Sequence, residues 1–137
     1  MSLAIVTGGS SGIGLATCLL LWKKGYKVVS ISRSLGNLPS SVEQIQIDLS
    51  TLDHVLLWNY IGERKVSILV SNAGTLNLNE DKFTDNEVMK FTNLNFLSHY
   101  KLGIKALDVG VESLVYISSV AALHGEADLP LYSSCKA

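Results

Sequence analysis

Thr7-Gly8-Gly9-Ser10-Ser11-Gly12-Ile13-Gly14 is the stretch on which the fold turns. Before it stands a short β-branched apolar run, Leu3-Ala4-Ile5-Val6-Thr7, which reads as a buried strand. After it come helix formers with apolar residues at helical spacing, Leu15 to Lys24, closed by Gly25. A glycine-rich turn between a strand and a helix is the setting of a dinucleotide fingerprint. One glycine permits the sharp turn, a second lets the backbone approach a pyrophosphate, and a third lets the helix pack close to the sheet. The helix N-terminus then offers free N–H groups and a partial positive charge to phosphates. The rival phosphate loop needs Lys then Ser/Thr after the last glycine, but Leu15 and Ala16 stand there. An ordinary glycine-rich turn is the other reading.

Strands are expected at Lys27–Ser32, Val42–Ile47, Val66–Val70 and Leu114–Ile117. Helices are expected from Ser50 or Thr51 to about Tyr60, from Asp85 as N-cap to about Leu107, and from Leu131 onward. Between the second and third strands, Gly36, Asn37 and Pro39 leave room for little more than a turn. Alternation of this kind predicts an α/β fold, a Rossmann-like doubly wound parallel sheet with helices on both faces and strand order 3-2-1-4-5.

The composition agrees. Hydrophobic residues are 47% of the 137 and charged residues 17%, which suits one packed domain. The mean hydropathy of +0.30 leans toward strands buried on both faces. Eleven basic against twelve acidic residues provide no basic footprint for nucleic acid or anionic membrane. No apolar run reaches the roughly 18–20 residues of a membrane span, and no signal peptide is legible. Cys18 and Cys135 lie far apart, and His54, His99 and His124 form no close pair. Reduced thiols in the cytoplasm are therefore expected, and no metal site.

Further motifs follow in order: Ser71-Asn72-Ala73-Gly74, Asn95 inside the long helix, Ser118-Ser119 after the fifth strand, and Tyr132-Ser133-Ser134-Cys135-Lys136. With Thr7-Gly8 and the glycines at 12 and 14, this ordered set resembles the classical short-chain dehydrogenase/reductase family. That family carries Thr-Gly-x-x-x-Gly-x-Gly, Asn-Asn-Ala-Gly and Tyr-x-x-x-Lys, and Ser71 replaces the first Asn of the second motif. Tyr132 and Lys136 are four apart, which puts them on one helix face. A tyrosine alone is a poor base at neutral pH, and a nearby ammonium favours the phenolate.

The resemblance implies an oxidoreductase transferring a hydride between a nicotinamide cofactor and a carbonyl/alcohol substrate. Tyr132 is then the proton donor, Lys136 its helper and a ribose ligand, Ser119 the residue that orients the carbonyl, and Asn95 the holder of a water leading to Lys136. The cofactor-binding set is Gly8, Ser10, Ser11, Gly12, Ile13, Gly14, Ser32, Arg33, Ser34, Asp48, Leu49, Asn72, Ala73, Gly74, Tyr132 and Lys136. After the second strand, many NAD-preferring members carry Asp, whereas this chain has Ser32 followed by Arg33. A guanidinium suits a 2′-phosphate, so NADP(H) is expected, with NAD(H) as the alternative if Arg33 is only a solvated residue. Asp48 matches an adenine-contacting position, or it simply starts a helix. His124 is a candidate for the substrate pocket.

The resemblance further implies a homodimer or homotetramer built through the long fourth helix and the helix of Tyr132. Family members continue beyond the point matching Ala137, so the sheet is expected to be truncated after its fifth strand and the fragment inactive by itself. Two other readings are a non-catalytic nicotinamide-binding module and an epimerase- or dehydratase-like relative. The glycine spacing and Ser71-Asn72-Ala73-Gly74 argue against the second.

Overall fold

A computed structural model describes residues 1–137. Strand β1 (Leu3–Thr7) leads into helix α1 (Gly12–Lys23), then β2 (Lys27–Ser32) and β3 (Glu43–Gln46). Helix α2 (Val55–Ile61) and strand β4 (Val66–Ser71) follow, then α3 (Asp85–Thr92), a π-helical segment at Asn93–Leu97, and α4 (Ser98–Asp108). Strand β5 (Ser113–Tyr116), the single turn α5 (Ala121–His124) and α6 (Pro130–Lys136) complete the chain. The five strands form one parallel sheet in the expected order, β3-β2-β1-β4-β5.

Side-chain alternation along β1 and β2 divides the core in two. Leu3, Ile5, Val29 and Ile31 face a layer made with Leu57 and Ile61 of α2 and Leu102 and Ala106 of α4. Val6 and Val28 face the other way, toward Cys18 of α1, Val42 and Val70. The central strands are therefore buried on both sides, as a parallel sheet with crossover helices requires. No helix joins β2 to β3. The loop there packs back on α1, where Trp22 Nε1 donates to Ser41 Oγ at 2.8 Å. No helix is long and apolar enough to cross a membrane.

The structure corrects three local expectations. The helix expected from Ser50 or Thr51 begins at Val55. Asp48 Oδ1 instead accepts the Ser50 N–H at 2.9 Å and caps a single 3-10 turn, Leu49–Thr51, after which Leu52 takes a left-handed conformation. The helix expected to run unbroken from Asp85 is interrupted at Asn93–Leu97, and its N-cap is Thr84, which forms a reciprocal capping box with Glu87. The π segment has a local cause. Asn95 Nδ2 donates to the Phe91 carbonyl at 3.1 Å and Ser98 Oγ to the Leu94 carbonyl at 2.7 Å. Both side chains compete for carbonyls that the α-helical ladder would use.

Candidate active site

The glycine turn lies at the C-terminal end of β1, where open parallel sheets bind ligands. Gly8 has φ +71°, a left-handed conformation that glycine adopts freely. At Gly14 a Cβ would collide with the Gly8 carbonyl oxygen and come within 2.6 Å of Asn72 Nδ2. Helix α1 can sit this close to the turn only because no side chain stands there. The first turn of α1 has unused donors: the N–H groups of Gly12, Ile13 and Gly14 find no backbone partner, and Ser11 makes no side-chain cap. Orphan N–H groups beside a glycine-floored cleft fit a bound pyrophosphate.

That cleft has a volume of about 310 Å³. Of the expected cofactor residues, Gly8, Ser10, Ser11, Gly12, Ile13, Ser32, Arg33, Ser34, Leu49, Asn72, Ala73 and Gly74 line it. Gly14 lies buried behind it. Asp48 faces an adjoining hollow that shares Arg33, and its carboxyl is held below the usual range chiefly by the Ser50 hydroxyl. Asp48 thus acts as the cap of a short turn. Asn72 borders the cleft, but its amide donates to the Thr7 carbonyl at 2.9 Å. Thr7 Oγ1 in turn accepts the N–H groups of Asn72 and Ala73, each at 2.9 Å. These bonds pin the end of β4 to the glycine turn.

At the far end of Ala73-Gly74 lies a second cluster. A Cβ built on Gly74 would stand 2.9 Å from Asn95 Oδ1 and 3.3 Å from Lys136 Nζ. The absence of a side chain at Gly74 lets these two groups converge. Asn95 is buried, and its Oδ1 accepts the Thr75 N–H at 3.0 Å. Lys136 is half-buried on α6, with Nζ 3.3 Å from the Ile117 carbonyl and 5.9 Å from the centroid of the Tyr132 ring. Burial holds the Lys136 ammonium below its ordinary pKa. Ser118 Oγ donates to the Lys136 carbonyl at 2.7 Å, which ties the end of β5 to α6. Ser119 Oγ accepts the Ala121 N–H at 3.2 Å in the turn that leads into α5, and no hydrogen bond joins it to Tyr132. His124 is exposed on α5 and does not line the apolar hollow of about 410 Å³ beside Asn95 and Lys136.

Two residues of this region were not legible in the sequence. His99 Nδ1 lies 2.6 Å from Ser71 Oγ beneath the end of β4, and burial with the nearby Lys136 charge pulls its pKa to about 4. Glu80 reaches from the loop after Gly74 to the start of α6, accepting the N–H groups of Leu131 at 2.7 Å and Tyr132 at 2.9 Å. In sequence, Glu80-Asp81-Lys82 reads as a solvated charge run. The one available signal is Pro130, whose helix start leaves two N–H groups in need of an acceptor.

The profile of the family described as short chain dehydrogenase matches residues 2–137. The chain belongs to the short-chain dehydrogenase family. It is 31% identical over 156 residues to the very-long-chain 3-oxoacyl-CoA reductase of Mus musculus, covering 98% of this chain and 50% of that protein. The chain spans about half the length of the curated relatives it matches. Among solved family folds, 4-hydroxyisoleucine dehydrogenase complexed with NADH aligns at TM-score 0.84 and 21% identity, covering 99% of this chain and 63% of the other. A short-chain dehydrogenase from Sphingobium yanoikuyae in complex with NADPH aligns at TM-score 0.83 and 21% identity, covering 99% and 60%.

Proposed function

We propose that the protein is an NADP(H)-dependent oxidoreductase acting on a small carbonyl/alcohol substrate. The observation that carries this reading is the placing of the half-buried Lys136 ammonium. It stands beside the Tyr132 ring and against Gly74, at the end of the cleft floored by the glycine turn. The fold's solved relatives include one complexed with NADH and one with NADPH, in keeping with a nicotinamide here. Gly12, Ile13 and Gly14 would hold its phosphates through their free N–H groups, Arg33 a 2′-phosphate, and Lys136 the ribose near the nicotinamide.

The bound cofactor supplies the hydride, and everything else falls to this chain. Tyr132 donates a proton to the carbonyl oxygen as negative charge develops on it. Lys136, four residues on, favours the phenolate that remains. Ser119 orients the carbonyl once its hydroxyl turns from the Ala121 N–H. Asn95, locked between Phe91 and Thr75, keeps the Lys136 end of the cluster open to a water. Two free, buried cysteines fit a cytoplasmic location, and fractionation into an oxidising compartment would overturn that part. The intact protein is read as a homodimer or homotetramer.

Positioned acid–base catalysis contributes roughly 10²–10⁴-fold. In the intact protein, Tyr132→Phe is expected to lower kcat for NADPH-dependent ketone reduction by about that factor, with NADPH affinity nearly unchanged because the ring remains. Full activity of this variant would refute the mechanism. Cofactor binding without turnover in the wild type would instead favour a nicotinamide-binding module.

A further inference from the structure

We propose that Glu80 is a positioning residue for Tyr132, setting the height and direction of the catalytic phenol through the backbone of α6. The inference rests on the reading of Tyr132 as the proton donor.

The argument begins with the unmet donors of the helix. Helix α6 starts at Pro130, which has no N–H, and the regular ladder begins with the Ser133 N–H bonded to the Leu129 carbonyl at 2.9 Å. Between them stand the N–H groups of Leu131 and Tyr132, which no backbone carbonyl meets. Glu80 meets both, one with each carboxylate oxygen, at 2.7 and 2.9 Å. The side chain of Leu129, the N-cap, makes no such bond. Glu80 is only 9% exposed, so little water competes for these donors, and a carboxylate complements the positive end of a helix.

The element carrying Glu80 matters as much as its carboxylate. The segment from Thr75 to Glu80 leaves the cleft at Gly74, fixes Asn95 through the Thr75 N–H, and six residues after Gly74 fixes the Tyr132 N–H. One stretch of chain therefore holds both the residue beside Lys136 and the backbone of the tyrosine. Phe91 packs edge-on to the Tyr132 ring with centroids 6.4 Å apart, which limits lateral movement of the ring but does not fix where its backbone starts. Glu80 supplies that second constraint. It touches no reacting atom in this arrangement, so its effect must pass through Tyr132.

The test uses the intact protein with Glu80→Ala, Glu80→Gln and Tyr132→Phe. Glu80→Ala is expected to lower kcat about tenfold while leaving KM and NADPH affinity within about twofold. Glu80→Gln, which keeps one acceptor oxygen but turns an amide NH2 toward the other backbone N–H, should recover only part of the loss. Amide hydrogen exchange at Leu131 and Tyr132 should quicken selectively in Glu80→Ala, a readout that needs no turnover. Loss of kcat together with an equal loss of NADPH affinity would reduce Glu80 to a general structural role and overturn the proposal, as would unchanged exchange at those two amides. If Tyr132→Phe is inactive and Glu80→Ala fully active, the inference fails while the catalytic reading stands. If Tyr132→Phe is fully active, the catalytic reading itself fails.

Discussion

In the proposed reading cofactor choice depends on Arg33, and the surroundings of this residue suit the task. It is exposed at the rim shared by the cleft and the adjoining hollow, and its guanidinium enters none of the three ion pairs in the structure. Ser32 has turned its hydroxyl to the Ser34 carbonyl at 2.6 Å, so the loop is folded without calling on Arg33. A guanidinium left free at a cleft rim can meet a 2′-phosphate without first breaking a bond. A charge-assisted contact of this kind is worth about 1.5–3 kcal/mol. Arg33→Ala is therefore expected to weaken NADPH binding by roughly 10- to 150-fold and leave NADH binding unchanged, as calorimetry on both cofactors would reveal. At this scale the sequence was legible wherever a residue's role follows from its own backbone. Gly8 and Gly14 are needed for their conformation and their missing side chains, and both requirements are local. Glu80, and the bond from Asn72 to Thr7, were not legible because they depend on which distant donor or carbonyl the fold delivers.

At the scale of elements, strands were easier to place than helix ends. The apolar runs at Leu3–Thr7 and Lys27–Ser32 admit one reading, whereas Asp48, Ser50, Thr51 and Asp53 are all competent caps within six residues. Asp48 takes the 3-10 turn, and Asp53 Oδ1 accepts the Val55 N–H at 3.2 Å at the true start of α2. Sequence alone cannot rank such neighbours, and a single turn such as α5 is too short for periodicity to register. Helix α4 shows what periodicity does carry. Leu102 and Ala106 face the sheet, while Tyr100, Ile104 and Leu107, continuing from Phe96 in the π segment and three or four residues apart, leave an exposed apolar stripe on another face. A helix with apolar residues on a second face has a second surface to bury. The intact protein is expected to have a dimeric or tetrameric mass at micromolar concentration, and Ile104→Glu is expected to shift it toward monomer. A monomeric wild type in sedimentation would count against α4 as the interface.

For the whole molecule, the two-sided burial that makes the parallel sheet also sets how stability responds to pH. His99 is largely buried between Ser71 at the end of β4 and the Lys136 charge, and its pKa lies near 4 instead of 6.5. His54, also buried, is lowered in the same direction, first by burial and then by Lys101. An unfolded chain would take up a proton at each histidine near pH 6.5, and the folded chain resists doing so. Between pH 6.5 and about 4 the unfolded state therefore binds more protons. The stabilisation is complete above pH 6.5 and declines as pH falls, with the His99 contribution levelling off near 4. At about 1.4 kcal/mol per pH unit, His99 alone should remove about 2 kcal/mol between pH 7 and pH 5. Glu43 and Asp48 add losses of the same sign, but those fall mainly below pH 5, where carboxylates titrate. Urea unfolding at pH 7 and pH 5 would separate these effects. The wild type is expected to lose about 2 kcal/mol more stability across that interval than His99→Gln, in which the His54 loss remains and the amide carries no titrating proton. Parallel losses in the two proteins would show that His99 is free to protonate in the folded state, and that the space beneath the end of β4 is wetter than its packing indicates.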